Sequence, residues 1–259
     1  VSIELRHGRW QETLDGETAD ALIFDGPFGK ETHDGYGNDG RAARSRGDKP
    51  RDPRYRHRPG YTDQISYEFL DEADVEAFVA SWSERTLGWV ASITDHNLAP
   101  VWSDHLSDAG RLVFPPIPIV DVGSRCRLSG DGPSSWSWWL VVARPRTAQF
   151  QRWGTLSGAY IRSPNDPRSP RTGGKPLGIM REIVRDYAIP KDSSRVPGWP
   201  PRPRVVDPYA GSATTLMAAR ELGLDGLGSE ADRATFEDAL DRISATPTRA
   251  NSTGTLPLF

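Results

Sequence analysis

Val205-Val206-Asp207-Pro208-Tyr209-Ala210-Gly211-Ser212-Ala213-Thr214-Thr215 is the stretch on which the reading of the fold turns. Two β-branched residues close a short strand, Asp207 stands at its carboxyl end, and a turn of small residues leads into a helix rich in Ala and Leu. In an open α/β sheet, that junction is where a nucleotide-like ligand binds. Gly211 lets the backbone come close to a ligand, and the first turn of the new helix offers free N–H groups. The chain contains neither G-x-G-x-x-G nor G-x-x-x-x-G-K-[ST]. The turn therefore suits a ligand with no phosphate to cradle, which disfavours a nucleotide-dependent dehydrogenase. The helix runs through Leu216, Met217, Ala219 and Leu222 and stops at Gly223. Leu227-Gly228-Ser229-Glu230 reads as the next strand. Its final acid, about 20 residues after the turn, is placed to accept hydrogen bonds from ribose hydroxyls. Taken alone, the segment also fits an ordinary βαβ unit with a surface Glu.

A second junction of the same kind lies near the start of the chain. In Asp20-Ala21-Leu22-Ile23-Phe24-Asp25-Gly26-Pro27-Phe28-Gly29 an apolar strand runs into Asp25, and a Gly-Pro turn carries Phe28 just past it. By itself Asp25-Gly26-Pro27 is common turn chemistry.

Together the two junctions resemble the sequence blocks of amino-group DNA methyltransferases. Asp207 to Thr215 resembles that family's D-P-F-x-G-S-G-T-T block, which binds S-adenosylmethionine, with Ala213 where the family usually has Gly. Asp25-Gly26-Pro27-Phe28 resembles its D-P-P-Y/F catalytic block, with Gly26 replacing the first Pro. The catalytic block comes first, as in the β-type arrangement of the family. Two weaker likenesses accompany these. Gly173-Gly174-Lys175-Pro176-Leu177 is similar to the family's K-P-x-x-L block, and Gly8-Arg9 stands where the family often has Gly-Asp.

The resemblance implies a Rossmann-like methyltransferase domain: a mostly parallel seven-stranded sheet, including one antiparallel strand, with helices on both faces. It implies transfer of a methyl group from S-adenosylmethionine to the exocyclic amine of an adenine flipped out of double-stranded DNA. That nitrogen is a poor nucleophile because its lone pair is delocalised into the ring. Asp25 and the Gly26 carbonyl would hold its two N–H groups and free the lone pair, Pro27 would shape the turn, and Phe28 would stack on the base. Asp207, Tyr209, Ala210, Gly211, Ser212, Ala213 and Thr214 would hold the methionine part of the cofactor and Glu230 its ribose, with Lys175 and Pro176 completing the pocket. An Asp at position 25 leans toward adenine, where a Ser would lean toward cytosine. Cytosine-N4 transfer is the alternative. So is a catalytically weak homologue that binds DNA or cofactor and needs a partner subunit, given Gly26, Ala213 and Arg9. Dimerisation and membership of a restriction-modification system are family-level expectations.

The 259 residues suffice for one large α/β domain with an insertion. The net charge of −3 does not announce a nucleic-acid partner, yet all but four of the 32 basic residues are Arg. Arg forks suit phosphates and base edges; a GC-rich genome would give the same bias. The single Cys126 excludes a disulfide framework and a Cys-based zinc site within the chain, which fits a reducing cytoplasm. No metal is expected, and His96 and His105 read as structural. The longest apolar run, around Trp138 to Ala143, is too short to span a bilayer.

The chain divides into a catalytic half (1–143), a target-recognition segment (144–175), a cofactor half (176–245) and a tail (246–259). Residues 1–14 read as a strand and a helical turn. Residues 30–63 are a Gly-, Pro- and Arg-rich loop, a candidate lid on DNA through Arg41, Arg44, Arg46, Arg54 and Arg56. Residues 71–93 read as one amphipathic helix burying Val75, Phe78, Val79, Trp82 and Leu87. Arg111 to Phe114 and Trp136 to Ala143 read as strands, the latter with core aromatics. In segment 144–175, Arg152 and Arg162 with the interleaved Phe150, Trp153 and Tyr160 suit nucleic-acid contact. Helices are expected after Pro176 and from Asp232 to Ile243.

Overall fold

Strand β2 (Ala21–Asp25) sends successive side chains to opposite faces of its sheet. Ala21 and Ile23 enter one buried cluster, and Leu22 and Phe24 enter another. A strand covered on both faces reads as an unbroken apolar run, as this one does. The computed structural model describes residues 1–30, 69–122, 136–163, 165–166 and 174–247, and it places β2 within a nine-stranded sheet.

The other strands are β1 (Ile3–His7), β3 (Val90–Thr94), β4 (Leu112–Val113), β5 (Ile117–Val120), β6 (Ser137–Arg144), β7 (Tyr160–Ile161), β8 (Arg204–Asp207) and β9 (Asp225–Glu230). Their order is β1-β9-β8-β2-β3-β6-β5-β7, with β4 also pairing with β6. The run β1-β9-β8-β2-β3 is parallel throughout, and β6 is antiparallel to β3, β4 and β5. The expected mostly parallel sheet with one antiparallel strand is therefore present. Two strands of two residues each, β4 and β7, extend it beyond the expected seven.

Helices cover both faces. α4 (Leu177–Ala188) and α5 (Thr214–Glu221) pack on the Ala21 and Ile23 face through Ile179, Ile183, Val184, Ala218 and Ala219. The other face is covered by α1 (Trp10–Thr13), α2 (Glu72–Trp82) and α3 (Leu98–Asp108), which bury Trp10, Phe78, Trp82 and Trp102. α6 (Arg233–Ala245) closes the β1 end, where Ala239 and Ile243 join Leu5, Ala213 and Leu216. Among the described residues no helix is long and apolar enough to cross a membrane.

The reading of 71–93 as one helix needs correction. α2 begins as expected, with a reciprocal cap: Asp74 N–H donates to Asp71 Oδ1 and Asp71 N–H donates to Asp74 Oδ2, each at 3.0 Å. It ends at Trp82; Leu87 is 59% exposed, and Val90–Thr94 is strand β3. The buried Arg111 guanidinium is the cause. It donates to the carbonyls of Ser83 and Gly88, each at 2.8 Å, and to that of Thr86, satisfying groups that a longer helix would have paired internally. Gly88 also allows a close crossing, since a Cβ there would lie 2.5 Å from the Asp20 carbonyl oxygen. Trp136, expected in a core strand, precedes β6 and is exposed.

Candidate functional site

Parallel strands bring their carboxyl ends to one edge. On that edge β9, β8 and β2 are neighbours and end in Glu230, Asp207 and Asp25. The residues of the two sequence junctions, about 180 positions apart, thus meet across one crevice.

Asp207 is buried. The Tyr209 N–H donates to its Oδ1 at 3.0 Å, and the Thr215 side chain gives it a further hydrogen bond. Burial outweighs both and pushes its carboxyl up to about 7, with the charges of Asp25 and Glu230 adding to the rise. A buried acid facing two others is matched by a positively charged ligand. The turn after it is tight. Gly211 has φ +51°, and Ala213, immediately before α5, has φ +59°. The left-handed region disfavours any residue with a Cβ, so the Ala in place of the family's Gly sits where Gly fits better. The Ala210 N–H donates to the Ser229 carbonyl at 2.9 Å. A Cβ on Gly228 would lie 2.8 Å from Leu216 and 3.0 Å from Ala210, so the close approach of β9 to the turn requires glycine. Ser212 and Thr214 share a side-chain hydrogen bond of 3.2 Å. The Tyr209 ring lies beside Gly26, 3.5 Å from where a Cβ there would sit. It stacks on Phe78 at 5.6 Å, and its hydroxyl accepts from Trp10 Nε1 at 3.0 Å. The Glu230 carboxylate accepts from the Asp232 N–H at 2.7 Å, and its carbonyl accepts from the Gly8 N–H at 2.9 Å, tying Gly8-Arg9 to the strand end.

Asp25 is held differently. Lys175 Nζ donates to its Oδ2 at 2.6 Å. Burial pushes the Asp25 carboxyl up, and the Lys175 ammonium pulls it only part of the way back. Its Oδ1 is buried and has no hydrogen-bond partner among the described residues. The same ammonium lies 4.9 Å from the centre of the Phe28 ring and 4.8 Å from that of Trp138. Lys175, expected in the cofactor pocket, thus pairs with Asp25, while Pro176 caps the start of α4 with φ −60°. The turn after Asp25 is pinned from both sides. The Phe28 carbonyl accepts from the Leu70 N–H at 3.2 Å, and the Gly29 N–H donates to Asp95 Oδ2 at 2.8 Å.

Asp95 escaped the sequence reading. It follows β3, is buried, and its Oδ1 also accepts from Leu98 N–H at the start of α3 at 2.9 Å. An acid between a strand and a helix, as in Thr94-Asp95-His96, is the signal that would have found it. A Cβ on Gly26 would meet Leu70, Tyr209 and Phe24 at 3.5–3.6 Å, which is ordinary contact.

The expected nucleic-acid segment looks different in place. Phe150, Trp153 and Tyr160 are buried in the core beside Trp89 and Tyr187, so none of the three is available to stack on a base. Tyr160 OH donates to Asp186 Oδ2 at 3.0 Å and Trp153 Nε1 to the Asp186 carbonyl at 2.8 Å, fastening the segment to α4. Arg162 is ion-paired with Asp121 and donates to the Asp166 carbonyl at 2.8 Å. Arg152 is exposed. Arg41, Arg44, Arg46, Arg54 and Arg56 lie outside the described residues.

No protein-family model matches the chain, and no curated protein matches it in sequence. Solved structures do match. The chain is similar to M1.HpyAVI, crystallised as a complex with SAM, at 15% identity and a TM-score of 0.59, over 93% of this chain and 99% of that one. It is similar to TTHA0409 of Thermus thermophilus, assigned as a DNA modification methylase and complexed with S-adenosyl-L-methionine, at 15% identity and a TM-score of 0.55, over 94% and 93%. The cytosine-N4-specific PvuII DNA methyltransferase matches at 10% identity and a TM-score of 0.56, over 93% and 86%. At such identities the likeness is one of fold, and the chain has the Rossmann-like fold of DNA methyltransferases.

Proposed function

We propose that the protein is an S-adenosylmethionine-dependent DNA methyltransferase acting on the exocyclic amine of adenine. The observation that carries this reading is the crevice itself: Asp25 and Asp207 end adjacent parallel strands, so the carboxylates assigned here to the target amine and to the cofactor's positive charge lie side by side. Similar solved structures that hold SAM support the choice of ligand.

The donor set fits such a cofactor. S-adenosylmethionine carries a sulfonium and an ammonium, and three carboxylates line this edge. Asp207 would accept from the ammonium and Glu230 from ribose hydroxyls. At the other end of the crevice, Asp25 and the Gly26 carbonyl would accept the two N–H groups of the target amine, and Phe28 would stack on the base once it leaves the duplex. The cofactor supplies an electrophilic methyl carbon. When the nitrogen takes the methyl group and the thioether leaves with the C–S electron pair, Asp25 would take the proton that the nitrogen gives up. Pro27 fixes the turn so that these groups keep their spacing.

DNA contact would fall to Arg152 and to the Arg side chains of residues 30–63. Cytosine-N4 transfer is the second reading, favoured by the likeness to the PvuII enzyme. Incubation with S-adenosylmethionine and unmethylated genomic DNA, digestion to nucleosides and mass spectrometry tests both. N6-methyladenine supports the proposal, and N4-methylcytosine replaces the base while keeping the chemistry. No methylated nucleoside, with cofactor binding shown separately, favours a binding homologue that needs a partner subunit.

A further inference from the structure

We propose that Lys175 is a positioning residue: its ammonium keeps the Asp25 carboxylate ionised and turned so that Oδ1 is the oxygen that meets the target amine. The inference rests on the reading of Asp25 as the amine acceptor and adds to it a residue 150 positions further along the chain.

Three independent features point to it. Lys175 is only 4% exposed, and a buried ammonium persists only with a partner. Its contact with Asp25 Oδ2 at 2.6 Å, between the rings of Phe28 and Trp138, fixes that partner. Second, the bond uses one carboxylate oxygen and leaves the other. Oδ1 is buried and unpartnered among the described residues, a costly state that a ligand N–H would relieve. Third, the surroundings of Asp25 are acidic. Asp207 faces it from β8 and Glu230 stands beyond on β9, while Lys175 supplies the positive charge from the segment leading into α4. Without that charge, burial favours a protonated Asp25. A protonated carboxyl is a weaker acceptor and polarises the amine less.

The test compares wild-type protein with Lys175→Met, and with Lys175→Gln as a neutral hydrogen-bond donor should the methionine variant fold poorly. Three quantities are read: the pH profile of kcat, S-adenosylmethionine affinity by calorimetry, and the titration of Asp25 by carbon NMR on aspartate-labelled protein. Asp25→Asn identifies the Asp25 signal. Loss of Lys175 should lower kcat at neutral pH about tenfold or more. Both the acid limb of the profile and the Asp25 titration should move up by at least about one pH unit. Cofactor affinity should stay within about twofold, less than about 1 kcal/mol by the usual conversion.

The proposal fails if Asp25 titrates at the same pH in both proteins. It fails equally if cofactor affinity drops while kcat holds, which would return Lys175 to the cofactor pocket. A variant faster than wild type would mean that the ammonium obstructs the base instead of orienting Asp25. Wild-type protein that methylates no DNA would bring down the methyltransferase reading on its own, and the NMR titration would still decide whether Lys175 holds Asp25 ionised.

Discussion

Asp25 and Asp207 are two acids at the ends of neighbouring strands, and burial pushes both carboxyls up. They are compensated in different ways. Asp25 has a full opposite charge at 2.6 Å on one oxygen and, among the described residues, nothing on the other. Among the described residues, Asp207 has dipoles alone, the Tyr209 N–H and the Thr215 side chain. An opposite charge favours the ionised form of a carboxylate more strongly than dipoles do. The first arrangement suits a group that must be a strong acceptor whenever substrate arrives. The second suits a group that waits for a positively charged ligand. Similar local sequence, a strand ending in Asp before a turn, thus yields two electrostatic characters.

The largest effect that would break this comparison is catalytic. Asp25→Ala should lower methyl transfer by about 10²–10³-fold or more, the scale of losing one preorganised polar contact at a reacting group, with S-adenosylmethionine affinity unchanged. Radiolabelled methyl transfer beside calorimetry checks it. If cofactor binding is lost in a folded protein, the two acids do not divide the work as described.

The next effect is on stability. Asp207 has a folded value of about 7 against roughly 3.9 in the unfolded chain. Below about pH 4 both states hold the proton. As the pH rises toward about 7 the unfolded chain gives it up first, so unfolding becomes easier and stability is lost across that window, by up to about 4 kcal/mol. Asp207→Asn should flatten this part of the stability–pH curve in denaturant titrations. An unchanged slope would mean that Asp207 is ionised at low pH and is held as firmly as Asp25.

Two smaller effects concern the turns that carry the acids. Ala213 has φ +59°, so Ala213→Gly should relieve about 1 kcal/mol of backbone strain, less the extra freedom Gly has when unfolded. A rise in Tm of a few degrees is expected, and a fall would show that the buried Ala213 methyl matters more than the backbone. Gly26 shows no such demand, since a Cβ there makes only ordinary contacts. Gly26→Ala should change stability by less than about 1 kcal/mol and leave transfer intact. A large loss would show that the catalytic turn must flex.

Much of the site was legible because it is local. Asp25 and Asp207 each end an apolar run and Glu230 ends a strand of mostly small residues, and strand periodicity with a following turn is written in a few consecutive residues. Burial of Val75, Phe78, Val79 and Trp82 was legible for the same reason. The end of α2 was not, because Arg111, far along the chain, supplies the hydrogen bonds that replace a longer helix. Phe150, Trp153 and Tyr160 read as exposed because basic residues surround them, yet Asp186 and the core draw them inward.

The sequence by itself determined strands β2, β8 and β9, the order of the two junctions and the acids at these strand ends, since each depends on neighbours along the chain. Only the tertiary structure decided that Lys175, 150 residues from Asp25, pairs with it between Phe28 and Trp138. The physical reason is range: periodicity and turn chemistry act over a few residues, whereas a buried charge takes whatever opposite charge the completed fold brings within reach.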